Sequence, residues 1–105
     1  MTVATAKELA KGLLPDAKLW LRRSGSSLDA EVEQTTAACL LDLRRVGIVN
    51  IDAQDPLIQQ AAKLYLKAHF GYGDDPERWE QAYARLRDAL SLSGDYCTAK
   101  EAADG

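Results

Sequence analysis

The sequence predicts an all-α protein, a compact antiparallel bundle of three long helices with one or two short N-terminal helices. Three observations predict it. Alanine and leucine dominate an apolar set that makes up 47% of the 105 residues, and both are strong helix formers. Apolar side chains recur at three- and four-residue steps over three separate stretches. Two of those stretches open with Asp-Pro, at Asp55-Pro56 and Asp75-Pro76. That pair supplies a capping carboxylate and a residue whose missing N–H costs nothing in the first turn.

In chain order, Thr5 to Leu14 reads as a short helix with Leu9, Leu13 and Leu14 on its apolar side. Pro15 is expected to break or restart it. Asp16 to Arg23 adds Leu19, Trp20 and Leu21, and Ser24-Gly25-Ser26-Ser27 is a turn. The first long helix is expected from about Leu28 to Val46, with Ser26 or Ser27 as its cap. Asp29, Glu31 and Glu33 put negative charge at the positive end of its dipole. Leu28, Val32, Thr36, Cys39, Leu43 and Val46 form one stripe, and Leu40 widens it. Arg44 and Arg45 suit its last turn, and Gly47 suits the left-handed position just beyond.

Gly47 to Gln54 carries Ile48, Val49 and Ile51, β-branched residues that predict an extended segment or one short strand. The second long helix starts at Asp55-Pro56 and ends at Phe70-Gly71. Its wide apolar surface of Leu57, Ile58, Ala61, Ala62, Leu64, Tyr65 and Ala68 predicts a central position. Gly71 to Asp74 reads as a tight loop. The third long helix follows Asp75-Pro76, shows Trp79, Ala82, Tyr83, Leu86, Ala89 and Leu90 on one face, and ends between Leu90 and Ser93. Residues 1–96 are read as one domain. Gly94 to Gly105 has few apolar groups after Tyr96, so residues 97–105 are read as a flexible tail.

The net charge is −3, with seven basic and six acidic residues in 1–47 and six basic and ten acidic in 48–105. Neither half is a basic block that would grip phosphates nonspecifically. Lys7, Glu8 and Lys11 interrupt any N-terminal apolar run, and no stretch nears the roughly 20 apolar residues of a membrane span. No membrane association is expected. Cys39 and Cys97 form no CxxC pair, which fits a reducing compartment.

Chemistry-bearing patterns are sparse. His69 is the single histidine and reads as a packed or capping side chain rather than a metal ligand. Cys39 sits mid-stripe and reads as a small core residue. Asp74, Asp75, Glu77 and Glu80 read as capping and dipole-compensating groups. Gly71-Tyr72-Gly73 lacks the Lys-Ser/Thr of a phosphate loop. No catalytic, metal or cofactor site is therefore expected, and the protein is read as a non-enzyme. A helix-turn-helix with Arg22-Arg23 or Arg44-Arg45 on DNA is the alternative. The acidic start of its would-be recognition helix argues against it. Ile48, Val49, Ile51, Leu92 and Tyr96 are the candidate interface residues, because they lie in connectors with little of their own to cover them.

Three runs now fall in order. The first is Leu43-Arg44-Arg45-Val46-Gly47-Ile48. The second is Asp55-Pro56-Leu57-Ile58, with Ala61-Ala62-Lys63-Leu64-Tyr65 and Ala68-His69-Phe70-Gly71-Tyr72. The third is Pro76-Glu77-Arg78-Trp79, with Tyr83, Leu86 and Leu90-Ser91-Leu92-Ser93-Gly94-Asp95-Tyr96. In order and spacing, about Leu28 to Tyr96 resembles the head–tail connector (head-completion adaptor) proteins of tailed bacteriophages. The N-terminal part is longer than that pattern and is interrupted by Pro15, and the chain runs on past the usual end. The resemblance implies a helical subunit of a homo-oligomeric ring at the head–tail junction of the virion, made in the host cytoplasm. Such a ring docks on the portal protein and carries the next connector or tail protein, with packaged DNA as a possible contact. It implies no catalytic residue.

Overall fold

The computed structural model describes residues 1–70 and 75–98. All regular structure among them is helical: α1 Val3–Trp20, α2 Asp29–Arg45, α3 Pro56–His69, α4 Pro76–Ser91 and a single turn, α5 Gly94–Cys97. The Gly47–Gln54 connector forms no strand. The expected Gly71–Asp74 loop lies outside the described residues, as does the tail from residue 99 onward.

The N-terminal region corrects the sequence reading. It is one helix of 18 residues, as long as the others, with Pro15 inside it. Thr2 caps it, its Oγ1 accepting from the Thr5 N–H at 3.1 Å. Ala6, Ala10, Leu13 and Ala17 form an unbroken buried stripe that passes straight across the proline. Pro15 and Lys11, the residue whose carbonyl loses its partner, are both exposed, so water can satisfy the freed oxygen. Burial against α2 outweighs a local penalty of about 3 kcal/mol.

Both α1 and α2 end in the same hydrogen-bonded device. After α2, Ile48 N–H reaches Leu43 O (3.1 Å) and Gly47 N–H reaches Arg44 O (3.0 Å). Gly47 there has φ +101°, and Ile48 packs down beside Leu43, both fully buried. After α1, Arg23 N–H reaches Lys18 O and Arg22 N–H reaches Leu19 O. The left-handed position is held by Arg22, φ +55°, which costs a non-glycine residue about 1 kcal/mol. The start of α2 departs from expectation. Neither Ser26 nor Ser27 caps it; Leu28 takes that place without a side-chain bond. Negative charge substitutes, with Asp29 and Glu31 in the first turn and Lys18 of α1 paired to Asp29 at 3.1 Å. The two Asp-Pro starts behave as read: Asp55 accepts from Leu57 N–H and Asp75 from Arg78 N–H.

The Lys18–Asp29 pair joins the end of α1 to the start of α2, and Tyr65 packs edge-on against Tyr83 between α3 and α4. The helices pack most closely in two pairs, α1–α2 and α3–α4, joined through α2 and α3. The main core gathers Ala6 and Ala10, the α2 residues Cys39, Leu40 and Leu43, Ile48, the α3 residues Ile58, Ala61 and Ala62, and Tyr83 and Leu90. A smaller cluster of Ala17, Leu21, Val32 and Leu66 closes the far end. On α3 the buried face takes in Leu66, fully enclosed, while Leu57 remains 43% exposed.

Two opposite stability changes are expected from the helix irregularities. Gly47→Ala meets open space at its new methyl, so it loses only conformational energy, about 1–2 kcal/mol. Pro15→Ala restores a helical hydrogen bond and gains about 1–3 kcal/mol. Urea unfolding followed by circular dichroism reads both; a Pro15→Ala variant no more stable than the parent would mean that the helix needs its kink.

Candidate subunit interface and the polar contacts beside it

The five candidate interface residues sit at one end of the bundle, where the α2–α3 connector meets α5. Tyr96 O accepts from both Val49 N–H (2.8 Å) and Asn50 N–H (3.1 Å). The Asn50 amide donates to Asp95 O (2.6 Å) and Thr98 O (2.7 Å). Tyr96 OH donates to the Asp55 carboxylate at 2.9 and 3.2 Å, the same carboxylate that caps α3. The Cys97 thiol turns back to Leu90 O and Ser91 O. The segment through Thr98 is therefore latched to the bundle. Ile48 is wholly enclosed by its own chain. Val49, Ile51 and Tyr96 are half-buried in the latch, and Leu92 projects outward, 88% exposed.

A polar knot holds the middle of the bundle. Asp42 of α2 accepts from Tyr83 OH (2.7 Å) and Arg87 Nη1 (3.2 Å) of α4 through Oδ2. It accepts from Arg45 Nη2 (2.8 Å) and Nε (3.1 Å) through Oδ1. Burial pushes the Asp42 carboxyl up, but the bonds from Tyr83, Arg45 and Arg87 outweigh it and hold it below the usual carboxylate range. Burial pushes the Cys39 thiol up to about 12, helped by the Asp42 charge and opposed by a bond to Tyr83. A thiol so protonated is no nucleophile. The Tyr83 phenol is likewise driven up, by burial, by Cys39 and by Asp42. Nothing in the sequence pattern pointed to this knot: Tyr83 and Arg87 lie 41 and 45 residues from Asp42, and only the tertiary fold brings α4 within reach of α2.

Of two clefts, the first adjoins the knot. One, of about 260 Å³, is lined by Tyr65, Ala68, His69, Glu80, Tyr83, Ala84 and Arg87. His69 lies at its edge, exposed, its ring stacked on Tyr65 at 5.0 Å. The other, an open groove of about 500 Å³ on the outer face of α1 and α2, is floored by Ala30, Ala37, Ala38, Val3 and Leu41 and edged by Lys7, Glu33 and Gln34. Small side chains leave that hollow, and the spacing of Ala30, Ala37 and Ala38 at helical steps was its one sequence signal. The basic pairs separate. Arg22-Arg23 follows α1 and Arg44-Arg45 closes the 17-residue α2, whose start the Lys18–Asp29 pair holds beside the end of α1, so the two pairs lie about one helix length apart, roughly 25 Å. Among the described residues, no group of three or more His, Cys, Asp or Glu side chains is placed to hold a metal ion, and no helix is long and apolar enough to cross a membrane.

The knot makes stability acid-sensitive. A carboxyl held below its ordinary value stabilises the fold above that value and stops doing so as pH falls through the folded one. Asp42→Asn is expected to lose about 1–2 kcal/mol at pH 7 and to show a flatter decline in stability below about pH 4; equal acid sensitivity in parent and variant would remove Asp42 from that account. At the latch, Asn50→Ala is expected to speed amide hydrogen exchange across residues 94–98 at least tenfold, which corresponds to about 1.4 kcal/mol, with the rates of α1 unchanged.

Comparison with known proteins returns no matching family model, no matching curated protein and no matching solved structure.

Proposed function

We propose that the chain is a structural subunit of a head–tail connector, one that assembles with copies of itself into a ring on the portal and carries the next connector or tail component. The observation that carries this reading is the placement of apolar surface on the outside of the bundle. Leu92 is 88% exposed at the end of α4, and Val3, 57% exposed, stands beside the α1–α2 groove. A projecting leucine at one place and a hollow at another are two different patches on one subunit. A ring closed by head-to-tail contacts requires two different patches, whereas a two-fold dimer uses one patch twice. Each apolar Å² covered in assembly contributes about 25 cal/mol. The stretch that resembles connector proteins, about Leu28 to Tyr96, takes in α2 through most of α5. It therefore includes the polar knot and the latch, which hold Leu92 in a fixed position.

The test uses the intact chain and DNA-filled, portal-bearing heads from the same source. Wild-type protein is expected to co-sediment with the heads in a multiple-subunit stoichiometry, read by quantitative mass spectrometry. Leu92→Asp is expected to weaken that association at least tenfold while its thermal unfolding stays within a few degrees of the parent. Absence of co-sedimentation, or a Leu92→Asp variant that loads as fully as the parent, refutes the assignment.

A further inference from the structure

We propose that the end of the bundle formed by the close of α1, the second half of α3 and the first turn of α4 is a binding face for the sugar–phosphate backbone of nucleic acid. It goes beyond the connector reading and rests on different residues. Five cations are carried by these elements: Arg22 and Arg23 just beyond α1, Lys63 and Lys67 on α3, and Arg78 on α4. Three of them lie over aromatic rings. The Arg23 guanidinium lies 5.5 Å from the Phe70 centroid, and Trp79 carries the Lys67 ammonium at 4.8 Å and the Arg78 guanidinium at 5.4 Å.

That these charges feel one another is visible at Lys67. Burial comes first in lowering its proton affinity, and the neighbouring charges of Lys63 and Arg22 lower it further. Holding like charges together costs energy that a polyanion returns. The cations are spread over three elements instead of converging on a point, which suits a row of phosphates better than a single carboxylate. The aromatic faces are already occupied by cations, so they offer no platform for bases, and recognition would be of backbone and independent of sequence. Acidic groups stand at its edge among the described residues. Asp75 is engaged in capping Arg78 N–H, Glu77 is exposed in the first turn of α4, and Asp29 is paired with Lys18. The acidic opening of α4 speaks against a recognition helix reading bases. It leaves a backbone contact open, because that contact is made by side chains of α1 and α3 as well. Arg22 occupies a backbone conformation that glycine would take at no cost, and the charge it places at this end gives that strain a use.

The test is fluorescence anisotropy with a labelled random-sequence DNA duplex at several salt concentrations. Five neutralised phosphates give a slope of log K on log salt of about −4.5, and roughly a 500-fold loss of affinity between 50 and 200 mM salt. Arg22→Gly, whose backbone already suits glycine, and Lys63→Gln are each expected to flatten the slope by about 0.9. Arg44→Gln, at the opposite end, is expected to leave it unchanged; circular dichroism melts verify that all three fold. No binding at 50 mM salt overturns the proposal, as does a slope indifferent to Arg22→Gly and Lys63→Gln. Equal affinity for poly-glutamate also overturns it, by assigning the face to an acidic protein surface. Loading onto portal-bearing heads is read separately, so loss of DNA binding in variants that still load leaves the connector reading standing.

Discussion

Helix α2 must bury two faces at once, and the rest of the structure follows from how it does so. It packs on α1, whose buried face is mostly alanine (Ala6, Ala10 and Ala17), and on α3, and its Cys39, Leu40 and Leu43 share one core with residues of both helices. Helix α4 depends on it indirectly. Only Tyr83 and Leu90 of α4 are buried, too little apolar anchorage to fix a 16-residue helix by packing alone. The Asp42 carboxylate completes the attachment, reaching past α3 to the Tyr83 hydroxyl and the Arg87 guanidinium. A half-buried carboxylate with two cationic partners and a phenol is well satisfied, so it sets the register of α4 without leaving an uncompensated charge.

The opposite device operates at the end of the bundle that carries the candidate interface. There the chain passes from α2 to α3 without regular structure, and its backbone groups are satisfied by α5 rather than by a sheet. Val49 and Asn50 donate to one carbonyl, and the Asn50 amide reaches two more. Asp55 serves both the cap of α3 and the Tyr96 hydroxyl. The β-branched run that looked like a strand is thus held by hydrogen bonds to α5 without pairing into a sheet. This latch holds the α4 terminus firmly, which is what makes Leu92 a fixed projection.

Charge is distributed by the topology and not by the linear sequence. The halves of the chain differ little in basic content, yet folding brings the charges of Lys63 and Arg22 to bear on Lys67, sets Lys67 and Arg78 over one ring, and binds Arg45 and Arg87 to Asp42. An acidic protein can in this way carry a locally cationic end. The proposed connector role and the proposed nucleic-acid face use opposite ends of the same bundle, one for copies and neighbours, the other for a polyanion.

The sequence by itself determined the helical class, the two Asp-Pro starts, the glycine stop after α2 and the burial of Cys39, because each depends on groups within a turn or two of one another. It misjudged Pro15, since a local penalty was weighed without the burial that offsets it, and it passed over Ala6, Ala10 and Ala17, whose worth lies in how closely they let α2 approach. It also overlooked Leu66 and placed Ile48 at an interface, because periodicity tells which side chains share a face but not what covers that face. Only the tertiary structure decided the Asp42–Tyr83–Arg87 knot, the latch on Tyr96 and the cationic end. Each joins residues from separate elements, and their meeting is set by the packing angle and register of whole elements, which no local pattern encodes.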